Sequence, residues 1–200
     1  MKKALFDFIK SSPTAYHAID TVKRRLLSEG FSELYEADLW ELQPFGKYFV
    51  IRGGSSIVAF VNLPLANGYT ICASHSDSPA FKVKVTEEAL GAYVSVPTEK
   101  YGGSIHYTWL DRPLSLAGRV MARTEHGIES RLVNLDCDAL CIPSLAIHVN
   151  RGVNDGYKFA LNKDMIPLLT TLAHKGELME RISSLSGVRR EDILSHDLYL

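Results

Sequence analysis

The chain has 200 residues, 46% hydrophobic and 22% charged, with Lys plus Arg at 22 against Asp plus Glu at 23 and a formal charge of -1. It is long and apolar enough to bury a core, which excludes a disordered chain, and its balanced charge gives no electrostatic reason to expect nucleic acid or an anionic membrane as a partner. Local basic runs such as Lys23-Arg24-Arg25 and Arg189-Arg190 read as solvated helix faces.

Leu5, Phe8 and Ile9, then Ala15, Ile19, Val22 and Leu26, recur at helical spacing and predict two helices or one kinked one. Ser12-Pro13 reads as a cap and first-turn pair, and Gly30 as a stop. Lys47 to Arg52 and Ser56 to Asn62 predict strands joined by a turn at Gly53-Gly54-Ser55. The most apolar stretch, roughly Ile57 to Cys72, is interrupted by Asn62, Pro64, Asn67 and Gly68. It falls short of the ~20 apolar residues that span a bilayer, so buried strands are expected and a membrane partner is not. A third strand, about Tyr69 to Ser74, is expected to deliver His75.

The stretch Cys72-Ala73-Ser74-His75-Ser76-Asp77-Ser78-Pro79 carries the most chemistry. A histidine and a carboxylate two residues apart in an extended segment point the same way, so Asp77 can hold one ring nitrogen of His75 and turn the other towards a cation. The competing reading is a satisfied structural histidine near a strand end.

After Pro79 the character changes. Phe81-Lys82-Val83-Lys84-Val85 alternates strictly, and short strand-like segments follow to about Leu135, which predicts a second domain. Ile166, Leu169 and Leu172, then Leu178, Ile182 and Leu185, predict a helical stripe ending near Gly187, and Ile193 to Leu200 reads as a further strand. Cys72, Cys137 and Cys141 cannot all pair, and no signal peptide precedes the first helix, so a reducing cytoplasm is expected.

Several pieces occur in one order: His75-Ser76-Asp77-Ser78-Pro79, Tyr101-Gly102-Gly103, Thr108 to Ser115, and Ile142 to Arg151. With Ser12-Pro13, His17-Ala18, Arg52 to Ser56, Asn154, Gly156-Tyr157-Lys158 and Asn162-Lys163-Asp164, they resemble the aspartyl aminopeptidase and vacuolar aminopeptidase I family of zinc metallopeptidases. The resemblance implies an α/β fold. Residues 1–80 would be the N-terminal portion of a phosphorylase/hydrolase-like metallo-aminopeptidase catalytic domain, and residues 81–200 an inserted β-rich dimerisation domain with a helix; the return segment of the catalytic domain would be missing.

It implies further that His75 is a zinc ligand, that Asp77 is its catalytic partner, and that the protein forms a homo-oligomer acting on peptides, with acidic N-terminal residues as one substrate class. A complete family site holds two zinc ions, and one incomplete site is expected here, so the chain alone is expected to be inactive. The alternative is a truncated, non-catalytic derivative acting as a self-association module. Many family members carry a histidine in the Tyr101 loop that helps seat the substrate in a neighbouring subunit's site. Here the candidate is His106, out of register by one position because Tyr107 follows it.

Other residues read as structural. Glu87-Glu88 lies too soon after the first motif to be a family glutamate pair and is expected in a solvated turn. Cys137 and Cys141 lack a second pair at zinc-finger spacing. Trp109 is expected to anchor the core, Asp111-Arg112 to form an ion pair, and His148 and Asn150-Arg151 to alternate along a strand. His17, His126, His174 and His196, with no acidic or cysteine partner at metal spacing, are read as surface or capping residues. No His-Glu-x-x-His, Gly-x-x-x-x-Gly-Lys or Gly-x-Ser-x-Gly motif is present.

Overall fold

The computed structural model describes residues 2–64, 68–84 and 86–200, so Asn67 and Val85 of the sequence expectations lie outside the described residues. The chain divides into two compact units, residues 1–78 and 79–200.

Unit 1 begins with α1 (Lys2–Lys10) and α2 (Ala15–Ser28), two helices rather than one. Thr14, not Ser12, is the N-cap residue of α2, with extended φ -138° and ψ 168°. Thr14 Oγ1 lies 2.8 Å from His17 Nδ1, so it satisfies the first turn's histidine instead of a backbone N–H. Gly30, at φ +80°, takes the left-handed conformation that ends a helix, and its N–H donates to Leu27 O.

Next, β1 (Ser32–Leu34) runs parallel to β2 (Lys47–Arg52), which pairs antiparallel with β3 (Ser56–Val61) through an uninterrupted ladder from Lys47↔Val61 to Arg52↔Ser56. Gly53 and Gly54 both have positive φ, as the tight hairpin turn requires. The sequence reading had no β1, because three residues are too short to show a period. Ile19 and Phe49 are buried, whereas no residue of α1 is. Leu5, Phe8 and Ile9, spaced as an apolar helix face, remain exposed.

Residues 69 to 74 do not form the expected strand. They make no ladder with any described residue, and Tyr69 and Ile71 are exposed. A strand exists only by virtue of a neighbour that takes its N–H and C=O groups, and the apolar composition that suggested one reports a surface suited to burial.

Unit 2 contains two five-stranded sheets. The first has order β10-β9-β13-β4-β7, from β4 (Ala80–Val83), β7 (Thr98–Tyr101), β9 (Ala117–Thr124), β10 (Gly127–Asn134) and β13 (Ile193–Tyr199). The second has order β5-β6-β12-β11-β8, from β5 (Glu88–Leu90), β6 (Tyr93–Ser95), β8 (Pro113–Leu114), β11 (Leu140–Cys141) and β12 (Leu168–Thr171). Two helices complete it, the short α3 (Leu161–Asp164) and α4 (Glu177–Ser186).

Alternation in β4 and β9 sends Phe81, Val83 and Val120 inward, where they meet Leu116, Val133, Leu198 and the Leu178 and Ile182 stripe of α4. Each such large side chain contributes about 1.5–3 kcal/mol on burial. Gly118 permits a close approach in the sheet: a Cβ there would stand 2.0 Å from the carbonyl oxygen of Asp197 on β13. On the other face Asp197 bridges Lys82 at 3.0 Å and Arg119 at 3.1 Å.

The predicted helical stripe holds only in its second half. Pro167 cannot extend a helix, its carbonyl accepts from Val96 N–H at 2.9 Å, and Leu168 to Thr171 pair with β6 instead. Within α4, Leu178 and Ile182 are buried and Leu185 is exposed. The left-handed Gly176 and Gly187 bound this helix.

Candidate functional site

His75 follows residues 68–74, which form no strand, and is held to the β2–β3 turn by its neighbour, since Ser76 Oγ donates to Ser55 O at 2.7 Å. The Nδ1 atom of His75 lies 3.1 Å from Oδ1 of Asp77. A carboxylate only accepts, so Nδ1 carries the proton and Nε2 presents its lone pair. The imidazole is 92% exposed and the Asp77 side chain 36%. The two residues are thus brought together as their spacing predicts, although by a bend rather than a strand.

As a donor set for zinc, this pair supplies one neutral imidazole nitrogen with its tautomer fixed by a carboxylate, which suits the metal. Among the described residues no group of three or more His, Cys, Asp or Glu is close enough to hold a metal ion. His75 is therefore one ligand of a site that the described residues do not close.

His106 lies in unit 2, in the 3-10 turn His106–Trp109. Its ring is turned into an aromatic cluster, 6.4 Å from the ring of Phe81 and 6.2 Å edge-on from that of Phe159, and its buried Nε2 has no hydrogen-bond partner among the described residues. Tyr107, next in the chain, is 68% exposed. Trp109 packs edge-on against Phe81 at 5.0 Å, as a core anchor.

Elsewhere the structure departs from the sequence reading. Asp111, at φ +54°, accepts from the Ser144 N–H at 2.8 Å, and hydrogen bonds from Ser144 hold its carboxyl below the usual range; the expected pair with Arg112 gives way to this loop-to-loop tie. Residues around His148 form a turn, with Val149 and Asn150 N–H both donating to Ala146 O, and not a strand. His174 does have an acidic partner, Glu177 Oε1 at 2.6 Å. Glu87 is not merely solvated: its Oε1 accepts from Leu178 N–H at 2.9 Å, at the start of α4.

A further arrangement had no sequence signal beyond the Asn162-Lys163-Asp164 spacing. Asp164 Oδ2 accepts from Tyr157 Oη at 2.8 Å and from Ala160 N–H at 2.7 Å, and that hydrogen bond raises the Tyr157 phenol. Tyr157 and Asp164 border an apolar cavity of about 200 Å³ with Leu110, Leu145, Val153 and Phe159, and none of His75, Asp77 or His106 lines it.

The architecture is shared with a solved structure. The structure of mApe1 from Chaetomium thermophilum superposes with a TM-score of 0.87 at 28% identity, over 98% of this chain and 49% of that one. Residues 8–200 match the sequence model of the aminopeptidase I zinc metalloproteases, M18. The chain belongs to the M18 family. It is 41% identical over 209 residues to a probable M18 family aminopeptidase 2 of Clostridium acetobutylicum, covering 99% of this chain and 48% of the relative. It is 42% identical over 176 residues to an aspartyl aminopeptidase of Dictyostelium discoideum, covering 84% and 36%. The chain spans about half the length of the curated relatives it matches most fully.

Proposed function

We propose that this chain is the N-terminal half of a cytoplasmic zinc-dependent aminopeptidase that removes N-terminal residues, acidic ones among them, from peptides. The observation that carries the reading is the His75 and Asp77 pair, a carboxylate-oriented and largely exposed imidazole within the part of the chain that matches the M18 family. His75 holds a zinc ion through Nε2 and Asp77 fixes the ring. When bound, zinc supplies a Lewis acid and an acidified water. The remaining ligands come from polypeptide outside these 200 residues. The relatives' greater length supports this, as does the apolar surface of unit 1 at Leu5, Ile9 and Ile71, which suits burial.

In unit 2, the Tyr101 loop contributes to substrate seating in a neighbouring subunit. His106 is the candidate from sequence, and the exposure of Tyr107 makes it the side chain better able to reach out from this loop. Residues 81–200 serve self-association. Three free cysteines, two of them exposed, fit a reducing compartment.

The test is a chimera joining residues 1–200 to the remaining half of the Clostridium acetobutylicum relative, assayed on acidic and neutral aminoacyl anilides with zinc content measured in parallel. The expected result is turnover and bound zinc, both reduced by His75→Ala. Unchanged zinc content in the purified His75→Ala chimera would overturn the assignment.

A further inference from the structure

We infer that the free edge of β10 is a two-fold self-association site, at which β10 of one copy pairs antiparallel with β10 of a second copy. This rests on the self-association reading above and names its surface. β10 pairs with β9 through eight consecutive partners with no register shift, and its other edge has no strand beside it among the described residues. A long, regular, uncovered edge strand is a template for another strand unless something blunts it. β10 has no proline, lysine or bulge to do so.

The sequence of the strand selects the partner. Gly127-Ile128-Glu129-Ser130-Arg131-Leu132-Val133 is complementary to itself when reversed about Ser130. Antiparallel pairing centred there sets Ser130 opposite its own copy, Glu129 opposite Arg131, and Ile128 opposite Leu132. Each charge then meets its opposite and Ile128 meets Leu132, twice over, as the isologous contact of a two-fold dimer requires. Shifting the centre to Glu129 sets carboxylate against carboxylate, and shifting it to Arg131 sets guanidinium against guanidinium. A centre between residues sets apolar side chains against charged ones. Charge thus singles out one register.

Within one chain Arg131 Nη2 already pairs with Glu129 Oε2 at 2.5 Å, and Ile128 is 66% exposed. In the dimer these two charges join those of the second copy in an alternating square, and Ile128 gains an apolar neighbour. The first sheet of unit 2 then becomes one ten-stranded sheet continuous across the two-fold axis.

The experiment is sedimentation equilibrium of the whole 200-residue chain and three variants, each checked for native circular dichroism. The wild type is expected to dimerise. Glu129→Arg and Arg131→Glu should each weaken the dimer at least ~10-fold, and the double variant, which restores complementarity with the charges exchanged, should return to within ~3-fold of wild type. As a measure that does not depend on charge, Ser130→Cys should give a reducible covalent dimer on mild oxidation, whereas Ile128→Cys, which faces Leu132 and not itself, should give no more than the wild type. A wild-type dimer indifferent to the single charge reversals and uncrosslinked by Ser130→Cys overturns this surface while leaving self-association standing. A concentration-independent monomer overturns both.

Discussion

Glu87 and Leu178, 91 positions apart, are joined by a 2.9 Å hydrogen bond in which the Leu178 amide donates to the Glu87 carboxylate. Leu178 is the second residue of α4, so Glu87 supplies to the helix from a distant loop the cap that Gly176 lacks the side chain to give. The carboxylate also sits at the positive end of the helix dipole. Glu87→Ala should cost about 1–2 kcal/mol in urea unfolding, while Glu87→Gln, which keeps an acceptor oxygen, should cost less. Glu88→Ala, at an exposed position, should stay within about 0.5 kcal/mol of wild type.

Gly118 is fixed by space. An added methyl group would meet the Asp197 carbonyl oxygen at 2.0 Å and the Leu198 Cα at 2.9 Å, both backbone atoms of the neighbouring strand, which no rotamer change can move. Gly118→Ala should destabilise unit 2 by about 3 kcal/mol or more, or prevent its folding. Gly152→Ala, with open space around the added group, serves as the control.

Asp77→Asn should keep the shape of the His75 pair and lose its charge. In the zinc-loaded chimera the neutral amide holds the tautomer less firmly, and zinc affinity measured by competition with a chelator should fall ~10 to 100-fold. An affinity equal to that of wild type would mean that Asp77 does not support the ligand.

His196 should make stability depend on pH. Burial, and then Lys82, holds its imidazole below the ordinary value, with Asp197 acting in the opposite sense. The unfolded chain therefore takes up this proton first as the pH falls below about 6.5, and the native state only at lower pH. The contribution is complete above that value and is lost as the pH drops towards the lowered folded value. His196→Gln should make the urea midpoint fall less steeply than wild type between about pH 7 and pH 5. Parallel slopes would show that the ring is not responsible.

The His75–Asp77 contact and the β2–β3 turn were legible because their logic is local. The i, i+2 spacing of His75 and Asp77 needs only an extended bend, and the Gly53-Gly54 turn needs only residues at ease with positive φ. What failed depends on distant partners. Tyr69 to Ser74 has the composition of a strand and no neighbour to make it one, while Ile166 to Leu172 has a helical period that Pro167 and pairing with β6 override. The links from Glu87 to Leu178 and from Asp111 to Ser144 cross 91 and 33 positions, which no periodicity reports. His106 could be marked as a candidate from its glycine-rich loop, but the direction of its ring is decided by Phe81 and Phe159.

The position of β13 has a consequence for biosynthesis. It separates β9 from β4, pairing Leu198 with Gly118 and Tyr199 with Lys82, so the middle of the sheet is made last. While the ribosome is still adding residues between β10 and β13, the β9–β10 hairpin and the antiparallel β4–β7 pair can each form but have nothing to join them. Both then offer open edges to other nascent chains. Yield during expression should therefore depend on how quickly this seven-residue segment is delivered, and slower translation just ahead of Ile193 should increase the aggregated fraction without changing the stability of the finished protein.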